Sequence, residues 1–119
     1  MIVVLTRQAE TDLEAIGDWI AKDNPLRAIS YVQELVSACE TLTVAPRAYP
    51  VIARFSRLGI RRRSYGDYLI FYRILDETIE VSHVIHGARD YEAILSQDMM
   101  SIKSKRRSGS PAHAAPLRM

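Results

Sequence analysis

Between Gly59 and Leu95 the chain reads GIRRRSYGDYLIFYRILDETIEVSHVIHGARDYEAIL, and most of its side chains capable of chemistry lie there. Cleaving RNA through its 2′-hydroxyl needs a base for that hydroxyl, an acid for the leaving 5′-oxygen and cations for the phosphate. His86, Tyr91, Arg73 and Arg89 are of the types that supply those functions. Binding without catalysis needs less. Guanidinium forks take phosphate or carboxylate bidentately, and Arg61, Arg62 and Arg63 offer three in a row. The same residues also suit an edge strand blunted by charge against unwanted pairing. Residues 46–73 hold seven arginines and no lysine, which favours anion recognition over shielding.

Other chemistries find no support. His83 and His86 are three residues apart on a strand, so alternation sends them to opposite faces, and no third ligand sits at a telling spacing. No metal or cofactor is therefore expected. No Ser-His-Asp arrangement, glycine-rich phosphate loop or dinucleotide fingerprint is present. The single cysteine, Cys39, lies near Val36 and Leu42 and reads as a buried thiol in a reducing, cytoplasmic setting. Apolar runs such as Tyr68 to Tyr72 fall far short of the ~20 residues that span a bilayer, and Met1 leads through IVVL directly to Thr6 and Arg7. Neither a signal peptide nor a membrane association is expected.

Charge is segregated along the chain. Net values are −4 over residues 1–45, +6 over 46–73, −4 over 74–95 and +4 over 96–119. An acidic half beside a basic segment makes two distinct surfaces, of which the basic one suits phosphate or an acidic protein.

The elements that must position these residues follow from periodicity. IVVL is a short strand. Thr6 caps a helix through Lys22 whose Ala9, Leu13, Ile16 and Ile20 form an apolar stripe, flanked by Trp19 as a further core residue. Asn24-Pro25 caps and starts a second helix to about Val44, with Ala28, Ile29, Val32, Leu35, Val36, Cys39 and Leu42 on its apolar side. The short connection makes the pair an antiparallel hairpin. Residues 46–58 lack a clean period and read as a basic loop.

From Ile60 the period changes to two, and strands are expected at Ile60–Ser64, Tyr68–Leu75 and Thr78–His86, joined by hairpin turns at Gly66-Asp67 and Asp76-Glu77. The fold class is α+β: an N-terminal strand, a helical hairpin, a three-stranded antiparallel meander and a short helix within Arg89 to Leu95. The first strand pairs with the meander and the hairpin covers one face. Alternation sets Tyr68, Ile70, Tyr72 and Ile74 on one side and Leu69, Phe71, Arg73 and Leu75 on an open side. In the last strand it sets Ile79, Val81, His83 and Ile85 inward, so that His86 and Arg73 share the uncovered surface. The domain runs over residues 1–95. Residues 96–119, with KSKRR and PAHAAP, read as a disordered basic tail.

The residues GIRRRSYGDYLIFYRI and IEVSHVIHGARDYEAIL, with LTRQAETDLEAIGDWIAKDNPLRAISYVQEL before them, resemble the RelE/ParE superfamily of type II toxin–antitoxin toxins over residues 1–95. The arginine strand, YLIFYR and HGARD place the resemblance in its ParE-like branch. It implies a cytoplasmic bacterial toxin that inhibits growth, is neutralised in a hetero-oligomer with a cognate antitoxin, and belongs to a plasmid-stabilising type of system. ParE-like members inhibit DNA gyrase without catalysis. RelE-like members, the alternative, cut mRNA on the ribosome with lysine- and arginine-rich sites. Arginine does not practically lose its proton, so a site without lysine favours gyrase binding over proton transfer. The residues expected to contact the target are Arg61, Arg63, Arg73, His86, Arg89 and Tyr91. The mRNA endonuclease reading would use His86, Tyr91, Arg73 and Arg89. A toxin fold that has lost toxicity is a third reading.

Overall fold

A computed structural model describes residues 1–97. The elements run β1 (Ile2–Leu5), α1 (Arg7–Ala21), α2 (Pro25–Glu40), β2 (Arg61–Tyr65), β3 (Tyr68–Leu75) and β4 (Thr78–His86). Residues 91–97 are helical. Of the expected tail, 96–119, residues 96 and 97 continue this helix, and the rest lies outside the described residues.

Both helices begin where their caps dictate. The Thr6 hydroxyl accepts from the Ala9 N–H at 3.1 Å and the Asn24 side-chain Oδ1 from the Arg27 N–H at 3.0 Å. Each satisfies an N–H that a first turn cannot bond internally, worth about 1 kcal/mol. Helix α2 stops at Glu40, short of the expected Val44, because the chain tightens into a 3-10 turn over Thr41–Thr43. That turn inserts Leu42 fully into the core.

The strands form one mixed sheet in the order β1-β4-β3-β2. Strands β2, β3 and β4 make the expected antiparallel meander, and β1 joins it parallel to β4, with Leu5 opposite Val81. Parallel pairing follows from the crossover: the helical hairpin leaves one end of β1 and packs back on the sheet. Its stripe of Ala9, Leu13, Leu35, Ala38 and Cys39 meets Ile70, Tyr72, Ile79 and Val81 in the main core. Burial pushes the Cys39 thiol up to about 12.

Two helical positions differ from the expectation. Trp19 is 66% exposed and Ile29 60% exposed, so neither belongs to the core. The stripe each was assigned to is satisfied without them, by Ile16 on α1 and by Ala28, Leu35 and Cys39 on α2.

The second face of the sheet is covered, which corrects the expectation of an open side. The segment 46–58 contains a 3-10 stretch, Ala53–Leu58, that brings Phe55 over Phe71 and Ile85, and Leu95 closes the same cluster with Ile60. Phe71 is fully buried. The spacing of Ile52, Phe55 and Leu58 is itself a helical signal that a basic composition obscures.

Glycine is required at the β2–β3 turn. Gly66 has φ +56°, and a Cβ there would lie 2.3 Å from the Tyr31 hydroxyl of α2. Positive φ at the first turn residue suits the type II′ hairpin. Gly66→Ala should lower stability by at least about 1–2 kcal/mol through the backbone alone, and pairing it with Tyr31→Phe should recover part of the loss in denaturant unfolding. An unchanged unfolding midpoint for the single variant would contradict the packing described. Cys39 provides a second test: with its acidity suppressed by burial, alkylation at about pH 8 should require unfolding, because the thiolate is the nucleophile. Rapid labelling of the native chain would contradict it.

Candidate functional site

The residues singled out in the sequence are distributed by one irregularity in the sheet. Phe71 pairs with His83 but Tyr72 pairs with Val81, so Ser82 is an extra residue in β4. A β-bulge of this kind shifts the alternation beyond it. Val84 and His86 therefore lie opposite Ile70 and Tyr68, on the side of the helical hairpin, and Ile85 joins the cluster beneath the other face. The unbroken alternation expected for β4 holds from Thr78 to Val81 and inverts after Ser82.

Arg73 and His86 consequently do not share a surface. Arg73 donates its Nε–H to Glu80 at 2.9 Å across the strand pair, with both side chains largely buried. His86 sits opposite Tyr68, five residues along β3, roughly 17 Å away at ~3.4 Å per residue.

The arginine strand is also divided by its pleat. Arg61 donates to the carbonyls of Tyr49 (2.7 Å) and Arg47 (3.2 Å), pinning the segment before the 3-10 stretch. Arg63 donates to the Ala38 carbonyl at 2.6 Å and the Thr41 hydroxyl at 2.7 Å, and lies over the Tyr49 ring. It thus satisfies a carbonyl at the negative end of α2. Arg62, on the opposite face, donates to the Tyr91 hydroxyl at 2.8 Å, while the Tyr91 ring packs on Phe71 at 5.3 Å. Arg61, Arg63, Arg73 and Tyr91 all have partners inside the fold.

A second set of interactions ties α2 to β2. Glu34 accepts from Arg27 at 2.6 Å and from the Tyr65 hydroxyl at 2.8 Å, and these bonds hold its carboxyl below the usual range. The Tyr65 phenol is raised in turn, chiefly by the same carboxylate. Tyr72 donates to the Pro46 carbonyl at 2.6 Å, and burial raises its pKa.

His86 and Arg89 remain, and the structure brings them together. The turn after β4 is closed by the Arg89 N–H on the His86 carbonyl at 3.0 Å, and the Gly87 N–H reaches the Asp67 carbonyl at 2.8 Å in the neighbouring turn. The Ala88 N–H donates to Nδ1 of His86 at 3.0 Å, and the ring stands edge-on to Tyr68 at 5.1 Å. His86 and Arg89 line a pocket with Trp19, Ile16 and Asp12 of α1. Sequence reasoning missed Asp12 and the exposed role of Trp19. Asp12 accepts from the Val84 N–H at 2.9 Å and from Gln8 at 2.8 Å, and its Oδ2 lies 3.3 Å from Nδ1 of His83. It serves the edge of β4 beyond the end of β1, a role that no helical periodicity reveals.

A separate groove lies on the outer side of the helical hairpin. It has a volume of about 680 Å³, with Gly17, Ile29, Val32 and Val36 along it and Glu10 and Glu14 at its rim. Gly17 keeps the helices close: a Cβ there would lie 3.3 Å from Val32. Among the described residues, no group of three or more histidine, cysteine or acidic side chains is arranged to hold a metal ion, and no helix is long and apolar enough to cross a membrane.

Residues 3–91 match the family model described as ParE toxin of type II toxin-antitoxin system, parDE. No curated protein matches the chain. A solved structure titled "Chromosomal ParDE TA system from P. aeruginosa" shares the fold, with a TM-score of 0.61 and 22% identity, covering 72% of this chain and 95% of that one. Arg63 offers a direct check on the division between structural and available cations. Arg63→Ala should cost about 1.5–3 kcal/mol, as expected for a charged donor removed from two acceptors, whereas Arg89→Ala should leave the melting temperature unchanged. Equal melting behaviour of the two variants would contradict that division.

Proposed function

This chain belongs to the ParE toxin family of type II toxin–antitoxin systems, and we propose that it acts in the cytoplasm by binding DNA gyrase without catalysis, until a cognate antitoxin occupies it. The observation that carries the binding reading is the dispersal of the proton-transfer candidates. Tyr91 is held by Arg62, Arg73 by Glu80, and His86 lies at the far end of β3 on the other face. A base and an acid must both reach one scissile phosphate, and this arrangement offers no common centre for them. His86 and Arg89 project at one end and are the residues proposed to touch the target. Arg61, Arg63, Arg73 and Tyr91 contribute by holding the sheet, the loop and the terminal helix that frame that end.

The antitoxin is assigned to the groove between α1 and α2. Its open apolar lining suits the apolar face of a partner helix, and the acidic rim of Glu10 and Glu14 suits basic residues flanking that face. Target and antitoxin then use different surfaces, so neutralisation works through the complex as a whole.

Purified chain should block gyrase supercoiling or trap cleaved gyrase–DNA complexes. Arg89→Ala should weaken that effect at least about tenfold, the scale expected when one charge-assisted hydrogen bond is removed from an interface. Ribosome-dependent cutting of mRNA with gyrase unaffected would overturn the proposal in favour of the endonuclease alternative. Ile29→Glu, at an exposed position, should weaken antitoxin binding in calorimetry by about tenfold or more and leave gyrase inhibition intact. Undiminished antitoxin affinity would remove the groove from the interface.

A further inference from the structure

Four of the five arginines between Gly59 and Leu95 donate to partners within the fold. Arg89 is exposed, and among the described residues no carboxylate pairs with it. It stands beside the only tryptophan of the chain, Trp19, in a pocket of about 400 Å³ between α1 and the end of β4. Leaving an indole two-thirds in water forgoes a large apolar burial, and exposed aromatic rings beside cations are typical of binding surfaces. Ala15, Ile16 and Val84 give the pocket an apolar floor.

Spare bonding capacity identifies the ligand. Both oxygens of Asp12 already accept hydrogen bonds. Nδ1 of His86 accepts from the Ala88 N–H, which leaves the proton of the neutral ring on Nε2 as a donor. The Lys22 ammonium lies 5.0 Å from the centre of the Trp19 ring. Lys22 thus takes one face of the indole from outside the pocket, and the pocket lining itself adds one imidazole N–H and one guanidinium beside the ring.

We infer that this pocket binds a single unpaired nucleotide, with its base against Trp19 and its phosphate at Arg89 and His86. An acidic peptide would use the cations and leave the indole in water. A duplex would lay further phosphates along α1, where the exposed Glu14 and Asp18 repel them. The volume, near the lower end of small-ligand pockets, admits one nucleotide. The inference rests on the reading of His86 and Arg89 as target contacts, and it makes part of that target the DNA that gyrase holds.

The single tryptophan supplies the readout. Its indole N–H resonance and its fluorescence, followed in the full chain, should respond saturably to dTMP and dAMP. The response to thymidine or inorganic phosphate alone should be at least about tenfold weaker, since stacking and phosphate contact each contribute on that scale. Arg89→Ala should weaken dTMP binding by about tenfold or more while leaving the melting temperature unchanged. No response to either nucleotide at millimolar concentration, an equal response to inorganic phosphate alone, or a response only to a glutamate-rich peptide would overturn the inference. Gyrase supercoiling measured on the same preparations separates the two claims. Inhibition without nucleotide binding removes the nucleotide and keeps the target, whereas nucleotide binding without inhibition does the reverse.

Discussion

Strand β4 carries one residue more than its partner between Val81 and His83, and the placement of every functional side chain beyond it depends on that insertion. Because side chains alternate along a strand, one extra residue exchanges the two faces for all that follows. His86 is delivered to the side of the helical hairpin, next to Tyr68 and Trp19, and Ile85 to the cluster beneath. The bulge is held from both sides. The Ser82 hydroxyl donates to the Phe71 carbonyl, and the Thr6 hydroxyl donates to the Ser82 carbonyl at the junction of β1 and α1. Asp12 then takes the Val84 N–H, which no strand is placed to accept once β1 has ended. Sheet edge, helix start and turn are therefore coupled at one point.

The arginines illustrate how a uniform charge run acquires separate tasks. A guanidinium brings several donors in a rigid plane, so it can satisfy carbonyls that the backbone leaves over. Arg63 does so at the end of α2 and Arg61 in the segment before the 3-10 stretch. Arg62 points through the pleat to the other face and fixes the phenol of Tyr91, which in turn packs on Phe71. Hydrogen bonds from charged donors of this kind contribute ~1.5–3 kcal/mol in general, against a median of ~0–1 kcal/mol for exposed ion pairs. The pair of Arg54 with Glu92, at 3.9 Å between exposed side chains, belongs to the weak class.

Two surfaces are left with unused capacity, and they differ in chemistry. The groove on the helical hairpin is apolar with an acidic rim, and the pocket at the end of β4 combines an indole with a guanidinium and an imidazole. The separation does not follow the segregation of charge along the chain: α1 contributes to both surfaces, and Arg89 comes from a segment that is acidic overall. The two surfaces share no lining residue.

Periodicity, caps and turn residues in the sequence determine the helical hairpin, the antiparallel meander and the resemblance to the toxin family, because each depends on residues close together in the chain. Thr6 and Asn24 mark the helix starts by local bonding alone, and Gly66 marks the hairpin turn by its positive φ. The tertiary structure decides what covers the second face, since Phe55 and Leu95 reach Phe71 from an irregular segment and a terminal helix that alternation in β3 does not register. It also decides the faces of β4, because the bulge at Ser82 is a property of strand pairing and leaves no mark in the composition of the strand itself. Whether an arginine is structural or available depends on which carbonyl, hydroxyl or carboxylate folding brings within about 3 Å, the reach of a hydrogen bond. Arg63 and Arg89 are alike as residues and differ only in what the fold places beside them.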